Sequence, residues 1–242
     1  MQFFIPSIFA TLVAITPAFS QGVNTADRGQ VNQALIYAQS LYQQATPASQ
    51  YLYLGKEYGV SDRVEYEHPF FGSEQWKPGS IVYFGQLYQT SSMLYDIENE
   101  KLIIESLNGD GTLMLRNEKI TSFTLDNHTF VRLEKEKTGL STGFYELLYN
   151  GTVKVFVKRT KTQEKVVINQ ERTIRFSSNN QFYQYKGGVY YAVHGKASVM
   201  ELMEDQKKAL KAYWREKNID FQQNRESALI KTSAYYDQLT HP

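Results

Sequence analysis

Gly139-Leu140-Ser141-Thr142-Gly143 fits the G-x-S-x-G pattern that holds a serine at a sharp turn for nucleophilic attack. That chemistry needs a strand before the serine, a helix after it and a histidine within reach. Here a charged loop precedes the motif and a β-hairpin pattern follows. His194 is the one downstream histidine apart from His241 near the end. The motif therefore predicts a glycine-bounded loop. The four histidines, His68, His128, His194 and His241, include no pair at metal-ligand spacing. Asp96, Glu98 and Glu100 resemble the start of a calcium loop. Lys101 stands where such a loop needs glycine and the distal glutamate is missing, so they predict a solvated acidic turn. There is no phosphate loop and no dinucleotide fingerprint. The absence of cysteine removes thiolate metal sites, disulfides and cysteine nucleophiles together. No catalytic, cofactor-binding or metal-binding residue is assigned from the sequence.

Other chemistry is invisible to spacing. Two carboxylates can hydrolyse a glycosidic bond from any positions that the fold brings together, and 18 tyrosines with 14 phenylalanines would suit sugar stacking. Most of these aromatics fall in strand patterns, which reads as core. Lys154, Lys158, Arg159 and Lys161 form a basic stretch. Basic patches with exposed aromatics bind single-stranded nucleic acid, but lysines on a strand edge also block aggregation, and the edge reading is preferred. Lys207, Lys208, Lys211, Arg215 and Lys217 predict a solvated outer helix face that could touch an acidic partner. Residues 1–150 hold 10 Lys+Arg against 16 Asp+Glu, and residues 151–242 hold 16 against 9. The halves thus carry −6 and +7 within a net charge of +1. Such asymmetry fits either a basic binding face or opposite signs on solvated surfaces of one fold.

The elements that must position these residues are mostly strands. Trp76–Asp96 reads as strand, turn and strand, with Gly85-Gln86 suited to a type II′ loop. Through residue 133 turn signals recur at about 8–14 residues, among them Glu98–Glu100, Asn108–Gly111 and Asp126-Asn127, and further turns are signalled at Asn150-Gly151, Asn179-Asn180 and Gly187-Gly188. Asn150-Gly151 matches the preferred type I′ pair between Phe144–Tyr149 and Thr152–Lys158. Val153, Val155 and Val157 alternate with Lys154, Phe156 and Lys158, which predicts one buried and one mostly wet face. Short strands are predicted at Lys165–Asn169, Arg172–Ser177, Phe182–Lys186 and Val189–Val193. Nothing helical separates the strands, so parallel crossovers are excluded. Apolar residues over Gln30–Ala45 recur at helical spacing, ended by Pro47. Past Gly195 the helical period returns, with Ser198 and Glu201 as a capping box. One helix is predicted to Asn218 and a second from about Asn224 to Leu239. The fold class is α+β: an antiparallel β-meander, sandwich or open barrel, with an N-terminal helix and a C-terminal helical hairpin packed on the sheet.

Residues 1–20 read as a secretory signal peptide. Phe3–Phe19 carries no charge, and Ala18 and Ser20 are small residues at the inspected positions, predicting cleavage before Gln21. The run is short for a spanning helix, and no later segment approaches that length. The organisation expected is signal peptide 1–20, leader and helix 21–50, β-domain 51–195 and helical hairpin 196–242.

Gly55-Lys56-Glu57-Tyr58, His68-Pro69-Phe70-Phe71, the Trp76–Tyr88 stretch, Leu94-Tyr95-Asp96, Gly143-Phe144-Tyr145 and Gly187-Gly188-Val189-Tyr190-Tyr191 occur in that order. Together they resemble a group of exported, uncharacterised proteins of Bacteroidota-type bacteria. The resemblance implies export into a Gram-negative envelope, periplasmic or extracellular, and carries over no catalytic or binding role. The leading expectation is a non-enzymatic exported protein that binds an envelope protein, glycan or other ligand, and not nucleic acid. The alternative is a carbohydrate-active or other hydrolase with a spatially assembled carboxylate site.

Overall fold

The computed structural model describes residues 56–57, 67–105, 111–168 and 171–240. All of these lie in the second of two units into which the chain divides, Gln43–Pro242. The leader and the helix expected over Gln30–Ala45 lie outside the described residues.

Eleven strands form one antiparallel sheet. They are β1 (Lys56–Glu57), β2 (Lys77–Tyr83), β3 (Gln86–Asp96), β4 (Lys101–Glu105), β5 (Thr112–Met114), β6 (Ile120–Leu125), β7 (His128–Leu133), β8 (Gly143–Asn150), β9 (Lys154–Ile168), β10 (Glu171–Lys186) and β11 (Val189–Val193). Among the described residues the α-helices are α1 (Lys135–Thr138), α2 (Lys196–Leu202), α3 (Lys207–Glu216) and α4 (Arg225–Thr240). The class is α+β, as the alternation and the late helical period predict. The strand order is β1-β5-β4-β3-β2-β6-β7-β8-β9-β10-β11. One departure from a meander stands out: after β5 the chain returns past β4 and β3 to pair β6 with the far side of β2.

Several local predictions are corrected by pairing. The β2–β3 loop is Phe84-Gly85, one residue earlier than expected, because Tyr83 pairs with Gln86. Both loop residues have positive φ, 49° and 75°, which is type I′ geometry and matches strand twist. Phe84 tolerates it while its N–H donates to the Lys119 carbonyl at 2.9 Å and the Lys119 ammonium sits 5.2 Å above its ring. The β8–β9 connection is not an Asn-Gly type I′ turn: Asn150 stays in β8, paired with Lys154, and residues 151–153 form the loop. Asp237 of α4 overrides the local preference. Its carboxylate accepts from the Thr152 N–H at 2.8 Å, the Val153 N–H at 3.3 Å and the Tyr149 hydroxyl at 2.9 Å. The turn predicted at Asn179-Asn180 is absent, since both lie inside β10, opposite Thr160 and Arg159. Ser177–Gln181 are all exposed there, so a turn-like composition is only a solvated stretch of ribbon. β9 and β10 accordingly run 15 and 16 residues in place of the short strands predicted. The charged loop over 134–142 contains the short helix α1, closed by Gly139 at φ 74°.

The core has two main parts. Ile81, Tyr83, Met93, Tyr95, Leu102, Leu115, Phe123, Phe130 and Phe144 are buried together, drawing on strands from β2 to β8. The sheet rolls far enough that the β3–β4 turn reaches β8 and β9: Glu100 accepts from the Phe144 N–H at 2.7 Å, and the Ile97 carbonyl from the Lys161 N–H at 3.2 Å. In the second part, Val153, Val155, Val157, Phe182 and Val193 pack beneath Val199, Met203, Leu210, Trp214, Leu229 and Tyr236 of the helices. The opposite face of β9 is less wet than the valine alternation predicts, because Phe156 is buried there with Leu133 and Tyr145.

The single helix expected from Ser198 to Asn218 is broken at Met203, with a 3₁₀ turn over Glu204–Gln206 between α2 and α3. Ser198 is not the cap but the third helical residue. Its hydroxyl accepts from the His194 and Gly195 N–H groups and donates to the Gly195 carbonyl at 2.9 Å. α4 begins close to where the sequence places it, with Asn224 Oδ1 accepting from the Ser227 N–H at 2.9 Å.

Candidate functional site

The residues with the most suggestive types are occupied structurally. Ser141 lies between α1 and β8, the reverse of the strand–serine–helix order that a nucleophile elbow requires. Its hydroxyl contacts the Tyr145 hydroxyl at 3.0 Å and accepts from Lys158 Nζ at 3.3 Å. Asp96 is fully buried and caps its own turn, accepting from the Glu98 and Asn99 N–H groups and from Asn99 Nδ2. Among the described residues no group of three or more acidic or histidine side chains is placed to hold a metal. Lys154 is not at an edge, since it pairs with Asn150 of β8 and Tyr185 of β10; the β8 pairing stops at Val157, and beyond it Lys158, Arg159 and Lys161 have their side chains engaged by the fold. Lys158 pairs with Glu100 at 3.5 Å, and Lys161 Nζ donates to the carbonyls of His68 and Phe70. Burial pushes the Lys161 ammonium down, partly offset by Glu67 and Asp96.

Glu146 gathers a polar network that the sequence gives no reason to expect. Its carboxylate is 2.5 Å from His128 Nδ1 and accepts from Arg159 Nε at 2.6 Å, while Arg159 Nη2 reaches Glu226 of α4 at 2.9 Å. Burial alone would pull the Arg159 guanidinium down. The Glu146 bond and charge, with Glu226, instead hold it above its ordinary value. His128 lines a cavity of about 240 Å³ with Lys77 and Ser73, and Phe71 packs edge-on to its ring. Here are two carboxylates, but they converge on one guanidinium. A glycosidase needs them to face each other across a gap open to the sugar and water. The network reads as a brace between the rolled sheet and α4.

A different group of side chains opens onto solvent. A cleft of about 640 Å³ lies where the ends of the helices meet. The Ser198 bonds place Lys196 at the start of α2. Trp214 is 3% exposed and its indole N–H donates to Thr232 Oγ1 at 2.9 Å, so the end of α3 is fixed and Arg215 faces outward. Asn218, at φ 49°, closes α3. The Asn224 cap places Arg225 in the first turn of α4. These three cations line the cleft together with His194, Asp220, Trp214 and Phe221. Two of the cations are backed by rings: Lys196 Nζ is 4.9 Å from the Trp214 ring centre and the Arg225 guanidinium 5.9 Å from that of Phe182. Among the described residues none of the three makes an ion pair or a hydrogen bond, and the Arg225 Nε–H is buried without an acceptor. Asp220 is engaged, its Oδ1 accepting from the Gln222 and Gln223 N–H groups.

Comparison with known protein families, curated proteins and solved structures finds no match for the chain.

Of the cleft residues, the sequence reading names Arg215, on a solvated face, and His194, as the one histidine downstream of Ser141 apart from His241. It does not join them to Lys196 and Arg225, which lie up to 29 positions apart in the chain. The available signal is that each cation sits beside a helix boundary, where loops collect. Lys207, Lys208, Lys211 and Lys217 are exposed, as predicted, and do not line the cleft.

Proposed function

We propose that this chain is an exported, non-catalytic binding protein of a Gram-negative envelope, and that the cleft between α2, α3 and α4 takes up an anionic ligand. The observation that carries the reading is the convergence of Lys196, Arg215 and Arg225, without an ion pair among the described residues, on one cleft of ligand size. Export rests on the uncharged apolar run of residues 3–19 and on the resemblance to exported proteins. N-terminal sequencing of the abundant species from a Gram-negative host should begin at Gln21; Met1 or Gln2 would reject export.

Binding can be read from the protein's own fluorescence. The chain has two tryptophans, and Trp214 lines the cleft whereas Trp76 does not. A Trp76→Phe variant therefore reports the cleft alone. Titration with carboxylates, phosphates, sulfates and acidic sugar fragments should give a saturable change, weakened by salt and by Arg225→Gln. If no anion gives a saturable change up to about 1 mM, a binding level of about 4 kcal/mol, the reading fails.

A further inference from the structure

The cleft supports a narrower statement about its ligand, which rests on the binding reading above. Three cations face it against one carboxylate, so its lining carries a formal charge of +2 with His194 neutral. That balance matches a dianion. Arg215 and Arg225 each present a planar fork of N–H donors, and Lys196 adds a point charge with three more. A carboxylate offers two oxygens. A phosphomonoester offers three, spread so that cations arriving from three directions can each reach one. The cations do come from three directions: the start of α2, the end of α3 and the start of α4. The Arg225 Nε–H is buried, so the fork offered to an oxyanion in the cleft is the pair of terminal N–H groups of its guanidinium. At about 640 Å³ the cleft exceeds what a bare phosphate fills, and Trp214 and Phe221 supply an apolar wall for an organic body.

We infer that the cleft binds a phosphomonoester group carried on a larger organic molecule, through Arg225 and Arg215 as forked donors and Lys196 as the third cation. Such a group occurs on soluble esters and on lipid headgroups, and the test separates the two sources.

The experiment uses the Trp76→Phe protein and five probes at matched ionic strength: glycerol 3-phosphate, a glycerol phosphodiester, inorganic phosphate, succinate, and vesicles containing phosphatidic acid or phosphatidylglycerol. The monoester should bind at least about tenfold more tightly than the diester and more tightly than inorganic phosphate, a difference near 1.4 kcal/mol. Arg225→Gln should remove about tenfold of that affinity. Arg225→Lys, which keeps the charge and loses the fork, should erase much of the preference for monoester over diester. Lys208→Gln, outside the cleft, should change nothing, and unaltered melting of each variant shows that the fold persists. Binding to phosphatidic acid vesicles but not to glycerol 3-phosphate would assign the lipid source; the reverse assigns a soluble ester. If succinate or the diester binds as tightly as the monoester, the ligand class is wrong while the anion-binding reading stands. If no probe binds, both fall.

Discussion

Glu146→Ala should be among the most damaging polar substitutions in the chain. The Glu146 side chain is 4% exposed and that of Arg159 is 13% exposed. The mutation removes the acceptor of a 2.6 Å charge-assisted bond from Arg159 and the partner of His128 Nδ1 at 2.5 Å. Each bond of this kind contributes about 1.5–3 kcal/mol, and breaking a buried pair from one side costs about 3–5 kcal/mol. Arg159 retains Glu226, so the lower end applies: about 3 kcal/mol. For a chain of this size that shifts Tm by about 6–12 °C. Urea unfolding followed by tryptophan fluorescence measures the loss directly, with an unchanged m-value showing that the transition is the same one. Glu226→Ala is the internal comparison. Its side chain is 36% exposed, and its removal should cost less than about 1 kcal/mol. Glu146→Leu combined with Arg159→Met should regain most of the loss, because apolar residues of similar volume replace buried ion pairs at little cost. If Glu146→Ala costs no more than Glu226→Ala, the network is solvated and the brace argument is refuted.

Three further outcomes follow from the same geometry. Tyr149 is pushed up to about 12 by burial and by the bond to Asp237. Its folded value lies above the ordinary one of about 10, so this contribution to stability is complete below about pH 10 and disappears as pH rises towards 12. Several tyrosines are pushed up by burial, Tyr95 well above the ordinary value, so the readout is the difference: in tyrosinate absorbance one of the late-titrating groups should move earlier in Asp237→Asn. Gly79→Ala should cost about 3 kcal/mol or more, because the new Cβ would overlap the Thr124 carbonyl and the Met93 methyl, and the backbone oxygen cannot give way; thermal melting checks this. Ser198→Ala should cost about 1–2 kcal/mol through the His194 and Gly195 N–H groups left at the start of α2.

What the sequence reveals depends on how local the cause is. Gly187-Gly188 and Asp126-Asn127 form the turns their types suggest, because their tight loops need positive φ at Gly187, Gly188 and Asp126 and these residues allow it. The helices past Gly195 are legible from their apolar spacing, since Trp214, Leu210 and Leu229 must all reach the same sheet face. Asn150-Gly151 misleads because Asp237, 86 residues beyond Gly151, supplies the acceptor that settles the loop. Asn179-Asn180 misleads because Ser177–Gln181 are all exposed, which leaves no apolar alternation to reveal the strand. The strand order was illegible for a similar reason: nothing near β5 says that the next strand must pair with the far side of β2. The candidate cleft depends most on distant contacts. Its cations become neighbours only once the Trp214 and Asn224 anchors bring three helix ends together.

The helical segment should prove inseparable from the sheet. A chain truncated after Gly195 would expose Val153, Val155, Val157, Phe182 and Val193, each at most 8% exposed in the intact structure. At about 1.5–3 kcal/mol per large apolar side chain, five of them amount to about 7–15 kcal/mol. That equals the net stability of a typical domain, about 5–15 kcal/mol. The polar losses act in the same direction. Gln184, fully buried, would lose its bond to Ser233, the β8–β9 loop would lose Asp237, and Arg159 would lose Glu226. These partners come from β8, β9 and β10, so no single strand can relax to absorb the change. The expected product is insoluble, or compact without a cooperative melt, and co-expression of residues 196–242 as a separate chain should restore soluble material. A truncated chain that stays soluble and melts cooperatively at the full-length temperature would overturn this. The helices would then be an appendage, and the apolar contacts beneath them too weak to hold the cleft in one geometry.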